Sequence, residues 1–215
     1  NKLPGFQDIE KDPGACARYE EVYGVAVSAK YGQNLTQLFE AMEHGDLSAL
    51  YVIGENPASS EADVGRARKL MGNLDTLIVQ DLFMTKTAEM ADVVLAASNA
   101  ALESEGSVTN SERRVQRVRK VLEPPGNAKD DIWIIAQLAK RLGRDWGEVT
   151  PRSAWDELRR VSPMHAGMTN ERLDESEGIQ WPCWDEDHEG TLFLHGRLWE
   201  EDKANRGPKA PFSVT

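Results

Sequence analysis

A chain of 215 residues with 40 % hydrophobic and 28 % charged side chains is long enough for one large or two small folded domains, which excludes a disordered or fibrous polypeptide. Its 25 basic and 36 acidic residues leave a net charge of −11, which argues against general affinity for nucleic acid or for an anionic membrane. The longest apolar runs, such as "VVLAA" at 93–97, fall far short of the ~18 residues of a membrane span, so no direct membrane insertion is expected. No signal-peptide pattern opens the sequence, and the expected location is cytoplasmic. The two cysteines, Cys16 and Cys183, belong to no CxxC or Cys/His cluster and read as reduced structural thiols. A start at Asn1 and a bland end, "GPKAPFSVT", suggest a piece of something longer.

In chain order, "NLTQLFEAMEHGD" sets Leu35, Leu38, Phe39 and Met42 on one face of a helix closed by Gly45. The strand "ALYVI" follows at 49–53, then a polar turn, "GENP", and a helix expected from about Ser60 to Met71, with Ser60 and Asp63 as its capping pair. "DTLIVQD" at 75–81 has the short, β-rich signature of a buried strand. A short helix from Thr85 to Ala91 is expected to run into a third buried strand that ends near Ala97 and Ser98. The α-β-α-β-α-β order predicts an α/β fold, a parallel Rossmann-like sheet covered by helices. An irregular α+β and coil-rich C-terminal region follows it. The predicted division is 1–99 for the sheet, 100–128 for a basic ribbon or hairpin, and 129–215 for a helix and a coil-rich segment packing on neighbouring domains.

Ligands of parallel sheets sit beyond the carboxyl ends of the strands. Those ends carry Gly54, Glu55 and Asn56 after the first strand and Gln80 and Asp81 at the second, a polar edge that suits a nucleotide. The chain has neither GxGxxG nor GxxxxGK[ST], so an ordinary dinucleotide turn and a P-loop are not offered. Asn56 before Pro57 also reads as a plain Asn-Pro turn.

From 103 to 120 the character changes, with Arg113, Arg114, Arg117, Arg119 and Lys120 crowded together. The run is either a solvated face or a basic edge near an anionic group, and its periodicity fits a helical stripe as well as a β-ribbon. A firm helix then starts after Pro125 and Gly126, with Asp130 and Asp131 in its first turn and Lys140 and Arg141 near its end, matching the helix dipole. Asp131 reads as a helix cap or as a pair of acceptors for the N1–H and N2 amino group of guanine. After a short helix at "SAWDELRRV", proline, glycine and tryptophan mark packed coil. His44, His165, His188 and His195 show no ligand spacing, so no catalytic and no metal residue is assigned.

Five segments, "LYVIGENPASSEADV", "IVQDLFMTKTAEMADVVLAAS", "EGSVTNSERRVQRVRK", "DDIWIIAQLAKRLG" and "GIQWPCWDEDHEGT", resemble in that order successive blocks of the catalytic subunit of molybdenum- or tungsten-dependent formate dehydrogenases, within the dimethyl-sulfoxide-reductase (molybdopterin oxidoreductase) family. The resemblance covers nearly the whole chain and identifies it as an internal fragment. It implies a bis(molybdopterin guanine dinucleotide) cofactor carrying molybdenum or tungsten and a two-electron oxidation of formate to carbon dioxide. Gly54, Glu55 and Asn56 would then form the turn against a guanine dinucleotide, Gln80 and Asp81 would bind its ribose or phosphate region, and Asp131 would read guanine.

The resemblance places the 4Fe-4S cysteines, the metal's Cys or selenocysteine ligand and the substrate's His and Arg upstream, and a barrel downstream. The fragment alone is therefore expected to bind no cofactor and to be inactive. Its expected partners are the remaining domains of the same subunit and iron–sulfur electron-transfer subunits. One departure is Ala96, where many relatives have proline at the third strand's exit. A nitrate reductase or another oxidoreductase of the family would share this scaffold, and a non-enzymatic nucleotide-binding or assembly module is the remaining alternative.

Overall fold

The computed structural model describes residues 3–194; His195 and the bland C-terminal stretch lie outside the described residues. The elements are α1 (Pro13–Tyr23), α2 (Leu35–His44), β1 (Ala49–Ile53), α3 (Pro57–Ser60), α4 (Val64–Met71), β2 (Thr76–Asp81), β3 (Val93–Ala96), β4 (Gly106–Thr109), β5 (Arg114–Val118), α5 (Asp131–Arg141), α6 (Pro151–Val161), α7 (Asn170–Glu175) and β6 (Ile179–Gln180). They form a parallel sheet, β1-β2-β3, flanked by helices, and a second, antiparallel sheet, β4-β5-β6.

The sheet is parallel, as expected, with Ala49 beside Thr76 and Ile78 beside Val93. Parallel strands cannot be joined by a hairpin, so each connection crosses over with helical chain. Phe39 and Met42 of α2, Ala67, Leu70 and Met71 of α4, and Val52, Leu77 and Val79 of the strands form one apolar core. Each large side chain buried there contributes roughly 1.5–3 kcal/mol. Gly45, at φ +77°, ends α2 as the sequence predicts, and an Asn34–Gln37 capping box, not anticipated from the sequence, starts it.

Three expectations for this half are corrected. The helix from Ser60 to Met71 is two pieces: α3 stops when Glu61 turns extended, and Asp63 restarts the chain by accepting from the Arg66 N–H. Ser60 does not cap; its hydroxyl donates to the Asn56 carbonyl. The Thr85–Ala91 helix is only a single 3-10 turn, Ala88–Met90, because the Asn56 and Thr85 side chains take the Thr87 and Ala88 N–H groups. The third strand is not buried: Val93 and Val94 are 45 % and 38 % exposed. It is the outer strand of the sheet, flanked only by a one-residue parallel bridge between Ala97 and Lys129.

Residues 103–120 form the ribbon, not the helical stripe. β4 and β5 pair from Gly106–Val118 to Thr109–Val115 around a turn in which Asn110 Oδ1 accepts from the Glu112 and Arg114 N–H groups. Arg113 closes that turn at φ +67°, a left-handed conformation that costs a non-glycine residue on the order of 1 kcal/mol. Its guanidinium compensates by donating to the carbonyls of Trp181, Thr191 and Leu192. The tryptophan-rich stretch therefore packs on the ribbon within this chain. Val115, Met168, Leu173, Ile179 and Cys183 form a second core there, with Trp155 and Trp181 against it.

Candidate functional site

The carboxyl ends of β1 and β2 lie side by side, and the polypeptide leaves both through turns. At the end of β1 the Gly54 N–H donates to the Gln80 carbonyl at 2.9 Å, and the chain then reverses at φ +63°. A Cβ built on Gly54 meets nothing within 4 Å, so the turn borders open space. Glu55 is exposed, and the backbone N–H groups of Glu55 and Asn56 have no acceptor among the described residues. Two unpaired amides at such a tip suit an anion or another acceptor-rich ligand.

Asn56 faces two ways. Its Oδ1 accepts from the Thr87 hydroxyl at 2.8 Å and the Thr87 N–H at 3.2 Å, tying the β1 turn to the connection between β2 and β3. Asp81 turns back on its own chain: Oδ1 accepts from the Leu82 and Phe83 N–H groups. After it, Leu82, Phe83 and Met84 are exposed.

Gln80 does not reach the open edge. It is completely buried, its Oε1 accepting from the Tyr51 hydroxyl and its Nε2 donating to Asp131 Oδ1 at 2.5 Å. Burial raises the Tyr51 pKa, and the negative charge of Asp131 raises it further. Asp131 itself is exposed and leaves Oδ2 without a partner among the described residues. Asp131 is the first residue of α5, not its cap; that role belongs to Asp130, which accepts from the Trp133 N–H at 2.8 Å. Fold topology thus draws Gly54, Glu55, Asn56, Asp81 and Asp131 to one edge, with Gln80 beneath them as a bridge. Ser98 is buried and its hydroxyl bonds that of Ser104, so it does not stand free at the third strand's exit.

Sequence reasoning missed Tyr51 and Thr87. Tyr51 sits inside a run that reads as apolar strand, and Thr87 inside one that reads as helix; neither shows a local pattern for its hydrogen bonds. A cavity of about 820 Å³ opens next to the edge, between the ribbon and the starts of α5 and α6. Glu103, Glu105, Glu123, Asp130 and Glu148 outweigh Lys120, Lys129 and Arg152 around it, a balance unfavourable to a phosphate.

The basic run of the ribbon is engaged in ion pairs and hydrogen bonds within the chain, with Arg113, Arg114 and Arg117 partly buried and Arg119 and Lys120 exposed. The side chain of Arg117 is only 3 % exposed and lies between Glu105 at 3.0 Å and Asp174 at 3.3 Å, while Arg119 and Arg152 also engage Asp174. The hydrogen bond from Arg152 is the main reason that the Asp174 carboxyl titrates below its ordinary range. Arg114 donates to the Gly178 carbonyl, and Lys120 pairs with Glu123. Among the described residues no group of three or more His, Cys, Asp and Glu side chains is placed to hold a metal, and no helix is long and apolar enough to cross a membrane.

Provisionally named formate dehydrogenases of two Staphylococcus aureus strains are 37 % identical to this chain over 209 residues, which is 97 % of this chain and 21 % of theirs. Among solved structures it is similar to acetylene hydratase from Pelobacter acetylenicus, with a TM-score of 0.58 and 25 % identity over 84 % of this chain and 25 % of that one. The chain thus spans about a fifth of the length of those Staphylococcus relatives. The family model described as molybdopterin oxidoreductase matches residues 14–141, more than half of the sequence, and the chain belongs to that family.

Proposed function

We propose that this chain is the part of a formate dehydrogenase-type molybdopterin oxidoreductase that holds the guanine dinucleotide end of a bis(molybdopterin guanine dinucleotide) cofactor. The observation that carries the reading is the Gly54 turn: a left-handed glycine at a strand's carboxyl end, open space where a side chain would stand, and two unpaired amides just beyond it. A phosphate or ribose oxygen can approach such a backbone closely. The residues around it fit the group in kind. Asn56 offers a donor, Glu55 and Asp81 offer acceptors for ribose hydroxyls, and the free Oδ2 of Asp131 offers an acceptor for a guanine N–H.

Gln80 is not a direct contact in this reading. It orients Asp131 and supports it from below. When bound, the cofactor would supply the two-electron chemistry of formate oxidation through its molybdenum or tungsten. The residues of this chain would anchor its nucleotide end, far simpler work of hydrogen bonding and shape. The identity of 37 % with formate dehydrogenase-named proteins favours formate over the family's other substrates.

The test uses the full-length protein, purified without oxygen. Guanine nucleotide released by acid hydrolysis should accompany molybdenum or tungsten at two per metal ion, and formate should reduce an artificial electron acceptor. A metal-loaded protein without guanine would overturn the cofactor assignment. Nitrate reduction without formate oxidation would move the chain to the nitrate reductases.

A further inference from the structure

Thr87 is completely buried in the connection between β2 and β3. Its hydroxyl accepts from the Ala58 N–H at 3.0 Å and donates to Asn56 Oδ1 at 2.8 Å. Its backbone N–H gives that oxygen a second hydrogen bond at 3.2 Å. A backbone N–H only donates, so the atom facing it must be the amide oxygen; the reversed amide would set donor against donor. One residue, 31 positions away in sequence, therefore decides which end of the Asn56 carboxamide points inward. The other end, Nδ2, has no acceptor among the described residues.

Asn56 is also the residue at which the β1 turn becomes α3, and the Ala58 N–H is one of the amides left unpaired at the start of that helix. Thr87 satisfies it from outside the helix, a task that a helix's own capping side chain usually performs. α3 has no such side-chain cap of its own. The same hydroxyl thus fixes the backbone and the side chain of the turn that follows Gly54.

We propose that Thr87 is a positioning residue of the nucleotide site: it locks Asn56 so that Nδ2 stands as a fixed donor to an acceptor-rich group, a phosphate or ribose oxygen, at the end of β1. The inference rests on the nucleotide-binding reading above. It assigns Asn56 a donor role through its amino group alone, its oxygen being used by the fold.

The experiment measures binding of guanosine diphosphate to the cofactor-free, full-length protein by calorimetry, together with thermal unfolding. Asn56→Asp keeps the inward acceptor for Thr87 and replaces the outward donor with an acceptor oxygen. It should leave the unfolding temperature nearly unchanged and weaken binding about tenfold or more. Thr87→Val removes the hydroxyl at nearly constant volume and should weaken binding several-fold at temperatures where the variant is fully folded, while Thr87→Ser restores it. Wild-type binding with equal affinities in Asn56→Asp and Thr87→Val would overturn the inference and leave the nucleotide reading standing. Absence of binding to the wild-type protein would remove the reading and the inference together.

Discussion

Gln80 and Asp131, 51 residues apart in sequence, meet in a hydrogen bond of 2.5 Å from the amide Nε2 to the carboxylate Oδ1. Gln80 is completely buried and Asp131 exposed, so the bond links the interior of the sheet to its open edge. The Tyr51 hydroxyl holds the far end of the amide. The order Tyr51–Gln80–Asp131 fixes one carboxylate oxygen and leaves the other without a partner among the described residues.

Replacing Asp131 with Asn tests that division of labour. If a carboxylate accepts from guanine, an amide donor in its place loses a charge-assisted bond of roughly 1.5–3 kcal/mol. Affinity of the cofactor-free full-length protein for guanosine diphosphate should then fall about ten- to a hundredfold. Its unfolding temperature should change little, because Asp130 caps the helix. Asp130→Ala should do the reverse, lowering stability by about 1 kcal/mol with no loss of nucleotide affinity.

Gln80→Leu retains volume and removes the bridge. The half-buried Tyr51 hydroxyl is left without its partner, which should cost about 1–3 kcal/mol in denaturant unfolding. Nucleotide affinity should drop as well, because Asp131 loses its orienting donor. Full stability in Gln80→Leu would show that the amide contributes nothing net.

Acid should loosen the second half of the chain before the first. His165 lies between the rings of Trp155 and Trp181, its Nδ1 at 2.7 Å from the Ser162 hydroxyl, and burial lowers its pKa below the ordinary 6.5. The unfolded chain therefore binds the proton more readily than the folded one. Stability should fall as pH drops below about 6.5 and level off below the folded value. Asp174 has the usual carboxylate sign, its stabilising contribution being present above its ordinary value of 3.8 and lost as pH falls through its lower folded value. The two windows separate in an unfolding series from pH 7 to pH 3, and His165→Gln should remove only the upper one.

The 215-residue chain purified alone should carry no stoichiometric molybdenum, tungsten or iron and should not oxidise formate. Its described residues place no cluster of metal ligands, and it spans about a fifth of the Staphylococcus relatives. Elemental analysis showing one metal ion per chain would contradict this.

The alternation of helices and strands from residue 35 to 98, the parallel pairing, the Gly54 turn and the helix with Asp130 and Asp131 at its start are legible in the sequence, whereas α1 was not read from it. Each rests on short-range chemistry: hydrophobic period, capping residues and glycine at a positive φ. The ribbon's pairing with β6 was not legible, because no local pattern ties Arg113 to carbonyls 68 and 78 residues away. Nor was the fate of its basic run. A sequence records five positive charges, and only the fold brings Glu105 and Asp174 to Arg117.

At the candidate site the same boundary runs through single residues. Sequence alone determined that Gly54, Glu55, Asn56, Gln80 and Asp81 lie at the carboxyl ends of parallel strands, since topology follows from the alternation of elements, while Asp131 joined them only through the family resemblance. Tertiary structure alone decided that Gln80 points inward to Tyr51 and Asp131, that Thr87 fixes the Asn56 amide, and that Asp130, not Asp131, caps α5. Those roles depend on which polar atom finds a partner at about 3 Å across the fold, a distance set by packing between segments and carried by no local pattern of residues.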